Sequence, residues 1–404
     1  MKKVFHLYIS AYSGLPARSW MLALIILINR SGSMVLFFLS LYLTSELHYT
    51  ISEAGKLISI YGVGALIGTY VGGIFSDLYG TSRVQFWSLV LSGFGFIILG
   101  NLHSISSISI MLLLLAIAAE SFRPASATAM AQICPASIRP RGFALMRLAV
   151  NLGFTIGPAI GGFIANINYT YLFWIDGLTC IAAAISFWFV FYKKEMNRKA
   201  VAEQYIRIKK SFWKDSVFIN ILSIAFIIGI VIFQIFNCWP LYLKQDYKLL
   251  EYQIGSLMAI NTILIVLFEM PVIHKLEKIN PLKIMRLGSV FFFSGFFLMQ
   301  FGNSYSYAAF TIIIWTIGEI LILPMCASFI ANLATESNIG KYMGLYTFTF
   351  SFSFVVGPAS SAWIYENIHP SALWSIIGIL GIFVWIRFFF LEKKYAFNYN
   401  KSDF

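Results

Sequence analysis

Long apolar runs dominate this chain, and short polar breaks divide them. Each run is roughly 20 residues, which at 1.5 Å per residue spans the hydrocarbon core of a bilayer. The runs fall at 19–43, 55–75, 84–102, 107–131, 143–165, 171–192, 216–242, 254–273, 285–302, 306–330, 342–364 and 371–391. They predict about 12 transmembrane helices; runs of this length select helices over the ~10-residue strands of a barrel. The first run is too long for a secretory leader and lacks a small-residue cleavage site.

Composition strengthens this reading. Hydrophobic residues make up 59% of the chain and charged residues 11%, against about 25% charged in soluble domains. The net charge of +12 would suggest nucleic acid on a soluble protein. Here the positive residues gather in alternate loops, Lys244 and Lys248 excepted, which is the pattern of a membrane protein and argues against that partner. Arg139 and Arg141 follow span 4, Lys275, Lys278 and Lys283 follow span 8, and Lys193 to Lys214 fill the loop between spans 6 and 7. Lys2, Lys3 and Arg18 precede span 1, while Lys393 and Lys394 follow span 12. By the positive-inside rule both termini and the 193–215 loop are cytoplasmic. Compact loops and short termini fit a bacterial inner membrane.

The chain also repeats. A shift of 200 positions sets Leu41-Tyr42-Leu43 on Leu241-Tyr242-Leu243, Gly55 on Gly255, Pro124 on Pro324 and Gly157-Pro158 on Gly357-Pro358. Asp77 then meets Glu277, and Arg83 meets Lys283. The organisation expected is an N-terminal half (1–192), a basic cytoplasmic linker (193–215) and a C-terminal half (216–404). Parallel repeats of this kind build secondary transporters, whose substrate sites lie near the midplane where the repeats meet.

Two motifs carry a family resemblance. "GGIFSDLYGTSRV" (72–84), in the loop expected between spans 2 and 3, resembles the loop signature of the major facilitator superfamily through Gly73, Asp77, Gly80 and Arg83. Leu78, Thr81 and Ser82 stand where that signature has basic residues. "NLGFTIGPAIGG" (151–162) resembles the GxxxGPxxGG pattern of the superfamily's drug/proton antiporter branch through Gly153, Gly157, Pro158, Gly161 and Gly162. Glycines every four residues leave one helix face without side chains, so another helix can approach closely, and Pro158 favours a bend. The resemblance implies an all-α membrane protein of the major facilitator fold, two pseudo-symmetric six-helix halves, a monomer, and transport by alternating access. In that family the first motif latches the halves together, which is the role implied for Asp77.

The charges at bilayer depth are the candidate machinery. Arg30 lies about ten residues from either end of span 1, roughly 15 Å from each interface. A lone arginine there costs ~2.5–3.5 kcal/mol on insertion scales. Glu120 and Glu319 are similarly central in spans 4 and 10, at nearly equivalent places in the repeat. Desolvation disfavours a charged carboxylate and a nearby cation restores it, so such a group can take up and release a proton. Arg123 sits in "RPASATA", which weakly resembles the span-4 motif of proton antiporters, with Ser126 and Ala127 in place of its Gln and Gly. Substrate or proton coupling is therefore assigned to Arg30, Glu120, Arg123 and Glu319. An ion pair joining Arg30 to a glutamate is the structural alternative. Cavity candidates are Phe37, Arg147, Asn151, Gln234, Asn237, Asn261 and Trp315. Asp176, Glu269, Glu366 and Arg387, nearer span ends, read as interfacial.

No nucleophile–base arrangement, nucleotide-binding loop or metal-ligand spacing is present in the sequence, and the four cysteines are scattered through the spans. The expectation is a non-enzymatic secondary transporter without cofactor, driven by the proton gradient, whose partners are a small-molecule substrate, protons and the lipid bilayer. Proton-coupled efflux is the leading reading. Proton-coupled import of a carboxylate-bearing solute (a peptide, an organic acid or a siderophore) and lipid flipping are the alternatives.

Overall fold

The computed structural model describes residues 14–134, 139–192, 215–276, 279–333 and 339–402. Its α-helices run in two series. The first comprises α1 (Ala17–Ser31), α2 (Val35–Ser45), α3 (Ile51–Tyr79), α4 (Thr81–Leu99), α5 (Ile105–Ile133), α6 (Arg139–Ile167) and α7 (Thr170–Phe187). The second comprises α8 (Ser216–Ile232), α9 (Cys238–Gln245), α10 (Glu251–Leu276), α11 (Pro281–Leu298), α12 (Tyr305–Leu333), α13 (Ile339–Asn367) and α14 (Pro370–Ser402). The predicted spans 1 and 7 are each broken in the middle: α1 and α2 are one span in two pieces, and so are α8 and α9.

Helix boundaries keep the 200-residue offset. α5 and α12 end at Ile133 and Leu333, and α6 and α13 run 139–167 and 339–367. The backbone repeats in finer detail as well. His48 and Lys248 are non-glycine residues with positive φ, at 56° and 54°. The turns around them share their hydrogen bonds: Tyr49 N donates to Leu43 O and Leu249 N to Leu243 O, both at 3.0 Å.

Among the described residues, 11 segments are long and apolar enough to cross a membrane. The sequence reading of about 12 differs by α13. That helix has the same 29-residue length as α6. Its stretch from Thr347 to Ser353 alternates Phe with Thr and Ser, which makes it less apolar than its counterparts. Large apolar side chains such as Tyr70, Phe163, Phe189, Ile379 and Phe390 are exposed on the helices. That pattern suits a lipid surround, where apolar outward faces carry no penalty.

By its contacts the chain divides into two compact units, Met1–Phe38 with Ile60–Glu203, and Leu39–Ser59 with Gln204–Phe404. The segment 39–59 joins the second unit for visible reasons. Ser52 N, in the first turn of α3, donates to the Glu366 carboxylate at 2.8 Å, and Ala359 N donates to Ser59 Oγ at 3.0 Å. The Cα of Gly55 lies so close to Ala362 and the Pro358 carbonyl that a side chain there would clash. The first unit has an apolar core in which Leu22, Ile25 and Ile26 of α1 meet Leu89 of α4, Phe122 and Met130 of α5, and Phe187 of α7.

The 72–84 motif is not a loop of several residues. α3 continues to Tyr79 and α4 begins at Thr81, so Gly80 alone makes the turn, with φ at 88°. Only glycine takes that conformation without steric cost, which accounts for the motif's second glycine. Arg83 is exposed on α4, and Gly73 has open space around its Cα. The Asp77 side chain and Glu277 lie outside the described residues.

Candidate functional site

The first unit gathers its polar groups around the break in span 1. α1 ends where Gly32 follows Ser31, and Ser33 N bonds back to Arg30 O at 3.1 Å. Gly/Ser pairs are common places for a helix to kink. α2 restarts at Val35, and the first N–H groups of any helix lack intrahelical partners. Asp176 of α7 supplies them. Its carboxylate accepts from Met34 N at 3.1 and 3.2 Å and from Val35 N at 2.8 Å. Asp176 is wholly buried. The reading of Asp176 as interfacial is thus overturned: packing of α7 against the broken span, not distance from a helix end, sets its depth. Glu269, also read as interfacial, is buried too, at 9% exposure.

Arg30 stands one turn before this restart. Its backbone is what the glycine motif of α6 accommodates. A Cβ on Gly153 would fall on the Cβ of Arg30 and lie 2.8 Å from its carbonyl carbon. One on Gly157 would be 3.2 Å from Ser31 O, and one on Gly161 would be 3.0 Å from the Met34 Cβ. The ridge and the embedded arginine therefore form one contact. Pro158 is kept within the continuous helix α6, and Gly162 is buried.

The half-buried Arg30 guanidinium lies over the Phe154 ring, 5.9 Å from its centroid, within cation–π range. Among the described residues Arg30 forms no ion pair within 4 Å. Tyr61 of α3, 5% exposed, lies within electrostatic reach of Arg30, Glu120 and Asp176 together. Sequence reasoning missed Tyr61, and the 200-residue shift would have pointed to it, since it occupies the place of Asn261.

In the second unit Asn261 of α10 donates from Nδ2 to Glu319 Oε2 at 3.0 Å and to Thr316 Oγ1 at 2.9 Å, both on α12. Asn261 is 3% exposed and Thr316 0%. Two residues singled out separately in the sequence thus meet. Each unit accordingly sets a neutral polar residue of its second span near a half-buried glutamate of its fourth: Tyr61 with Glu120, Asn261 with Glu319.

Gln234 and Asn237 also find partners, at the break of span 7. Gln234 Nε2 donates to Ser361 Oγ at 2.7 Å and Asn237 Nδ2 to Pro358 O at 2.8 Å. They brace that break against α13. Other candidates are placed apart. Arg123 and Arg147 are exposed, and Asn151 is half-buried on α6. Phe37 and Trp315 are each 1% exposed. Trp315 stacks on Phe296 at 5.1 Å and Phe37 meets Phe38 edge-on at 4.9 Å. Both rings are core, with no free face for a solute, because the surrounding Phe side chains fill the space an aromatic platform would need.

Comparison with known proteins places this architecture. The family model described as Major Facilitator Superfamily matches residues 21–351 and again 239–402. The chain is 25% identical to a Na(+), Li(+), K(+)/H(+) antiporter of Planococcus maritimus, across 91% of this chain and 94% of that one. It is 22% identical to the quinolone resistance protein NorA of Staphylococcus aureus, over 83% of this chain and 86% of the relative. In fold it is similar to a POT family transporter crystallised with 5-aminolevulinic acid, at a TM-score of 0.81 and 15% identity, covering 95% of this chain and 97% of that one. Fold, duplicated helices and family match agree: this chain is a multi-pass membrane transporter belonging to the Major Facilitator Superfamily.

Proposed function

We propose that the transporter is a proton-coupled exporter, exchanging protons for a small molecule or cation by alternating access across a bacterial inner membrane. The observation that carries this reading is the seating of Arg30 on Gly153 and Gly157. The antiporter-type motif and the embedded charge are one structural element, so the motif acts on the residue best placed to respond to protons or substrate. The 25% identity to a cation/proton antiporter and the 22% identity to a drug resistance protein point the same way. Glu120 and Glu319 are the proton-carrying candidates: each is a half-buried carboxylate, with Tyr61 in electrostatic reach of the first and Asn261 bonded to the second.

Everted vesicles carrying an imposed proton gradient provide the test. Adding a quinolone, NaCl, LiCl or KCl dissipates the gradient in vesicles with the wild-type chain. Glu120→Gln or Glu319→Gln removes that response while leaving the amount of folded protein unchanged. Co-transport of protons with the added solute, in place of exchange, would overturn the export reading.

A further inference from the structure

We infer that Asp176 is a positioning residue for Arg30: its carboxylate fixes the broken first span from α7 and so sets where the arginine stands. The inference goes beyond the export reading, since it holds for any transport direction in which Arg30 works.

Three contacts from one face of α7 straddle the break. On the far side, the Asp176 carboxylate takes the backbone N–H groups of Met34 and Val35. On the near side, Asn29 Nδ2 donates to the Sγ of Cys180, one helical turn beyond Asp176, at 3.3 Å. Between them Gly32 is pressed against Thr179, whose hydroxyl occupies the place a Cβ would need. Arg30 lies inside this bracket, and the glycine ridge of α6 closes it from another side. The backbone of Arg30 has no room to shift unless the restart of α2 lets go. A carboxylate at a helix start both satisfies orphan N–H groups and complements the helix dipole.

The repeat supplies an independent argument. At the 200-residue offset, Arg30 becomes Ile230 and Asp176 becomes Ile376. The break itself persists there, as the 3-10 turn Phe233–Phe236, and is braced by Gln234 and Asn237 without any charge. A buried carboxylate is therefore not what a broken span needs in this fold. One stands at the break that carries the arginine, whereas the braces of the other break, among the described residues, are two amides.

The experiment uses the full-length protein in lipid nanodiscs and no transported solute. Asp176→Ala, Asp176→Asn and Asp176→Glu are compared by amide hydrogen exchange and by the arginine reagent phenylglyoxal, both read by mass spectrometry. In Asp176→Ala, exchange across 33–36 accelerates about 10-fold, the scale of one lost buried hydrogen bond, while 233–237 is unchanged. Arg30 modification changes several-fold as the side chain leaves its seat, with Arg83 and Arg147 as unaffected references. Asp176→Glu, which keeps a carboxylate, restores most of the wild-type Arg30 reactivity. Asp176→Asn, with a single acceptor oxygen, restores less.

If Asp176→Ala does not fold, Asp176→Asn against Asp176→Glu carries the same comparison. The inference fails if exchange at 33–36 is unaltered, or if it rises equally at 233–237. It fails also if Arg30 reactivity stays constant while the amides loosen, which would leave Asp176 a purely structural cap. Failure of the export reading touches neither measurement.

Discussion

Spans 1 and 7 occupy the same place in the repeat and break at the same point, but they are held differently. In span 1 the break lies among a cation, a wholly buried carboxylate and a glycine ridge. In span 7 it lies among amides and a hydroxyl, with Ser353 replacing Gly153 on the facing helix and its Oγ donating to Phe226 O at 2.9 Å. Backbone geometry has thus been kept through the duplication while charge has been placed in only one copy. A broken helix is common to both copies; an arginine and a buried carboxylate at the break belong to the first alone.

The largest effect that can break this comparison comes from glycine. Gly153→Ala forces a methyl onto the Cβ, Cα and carbonyl carbon of Arg30, atoms fixed to the backbone that cannot swing aside. We expect a loss of roughly 1–3 kcal/mol, read as a lower thermal unfolding midpoint. Gly357→Ala, in the second unit at the place of Gly157, brings a Cβ to 3.4 Å from the Cα and carbonyl oxygen of Ile230, the residue in Arg30's place, an ordinary contact. There the helix-propensity gain of about 1 kcal/mol offsets any crowding, and stability stays level or rises. Equal effects at the two glycines would mean that the close approach at Arg30 is not a distinguishing feature of the first unit.

A smaller effect is expected at the neutral brace. Asn237→Ala removes the donor to Pro358 O, costing about 0.5–1.5 kcal/mol, the net worth of one hydrogen bond. Hydrogen exchange should rise at 234–238 and stay constant at 33–36. The smallest effect belongs to what the repeats share. His48→Gly and Lys248→Gly each replace an exposed residue with positive φ by one that adopts it freely, against a larger unfolded-state entropy. The net change is within about 1 kcal/mol and the same in sign and size at both positions, measured by thermal unfolding. Opposite signs would show that the two turns differ in energy despite their matching dihedrals.

The candidate site was legible in part. Arg30, Glu120 and Glu319 stand out because a charge in a 20-residue apolar run has few inexpensive explanations. Asn261 was found as a polar residue in such a run, though not its bond to Glu319, since helix-to-helix pairing has no sequence spacing. Asp176 was misjudged because it lies six residues inside α7, near enough to an end to pass for interfacial. The signal that could have exposed it was the run Asn29-Arg30-Ser31-Gly32-Ser33, too polar and too small for an unbroken span and so in need of a partner for its freed backbone groups. Phe37 and Trp315 were ambiguous by nature: an aromatic ring lining a cavity and one filling a core look identical in one dimension.

By itself the sequence determined the membrane as solvent, the helical class, the duplication and its 200-residue period, and the two motifs, because each is written as local composition or fixed spacing along one chain. Only the tertiary structure decided that spans 1 and 7 are split, that Gly80 turns the chain alone, that the glycine ridge is the seat of Arg30, and that Asp176 caps the restarted helix. All but the Gly80 turn rest on contacts between segments more than a hundred residues apart. Their energy depends on which faces meet, and a helix broken in its middle exists only because another helix supplies the hydrogen bonds it gives up.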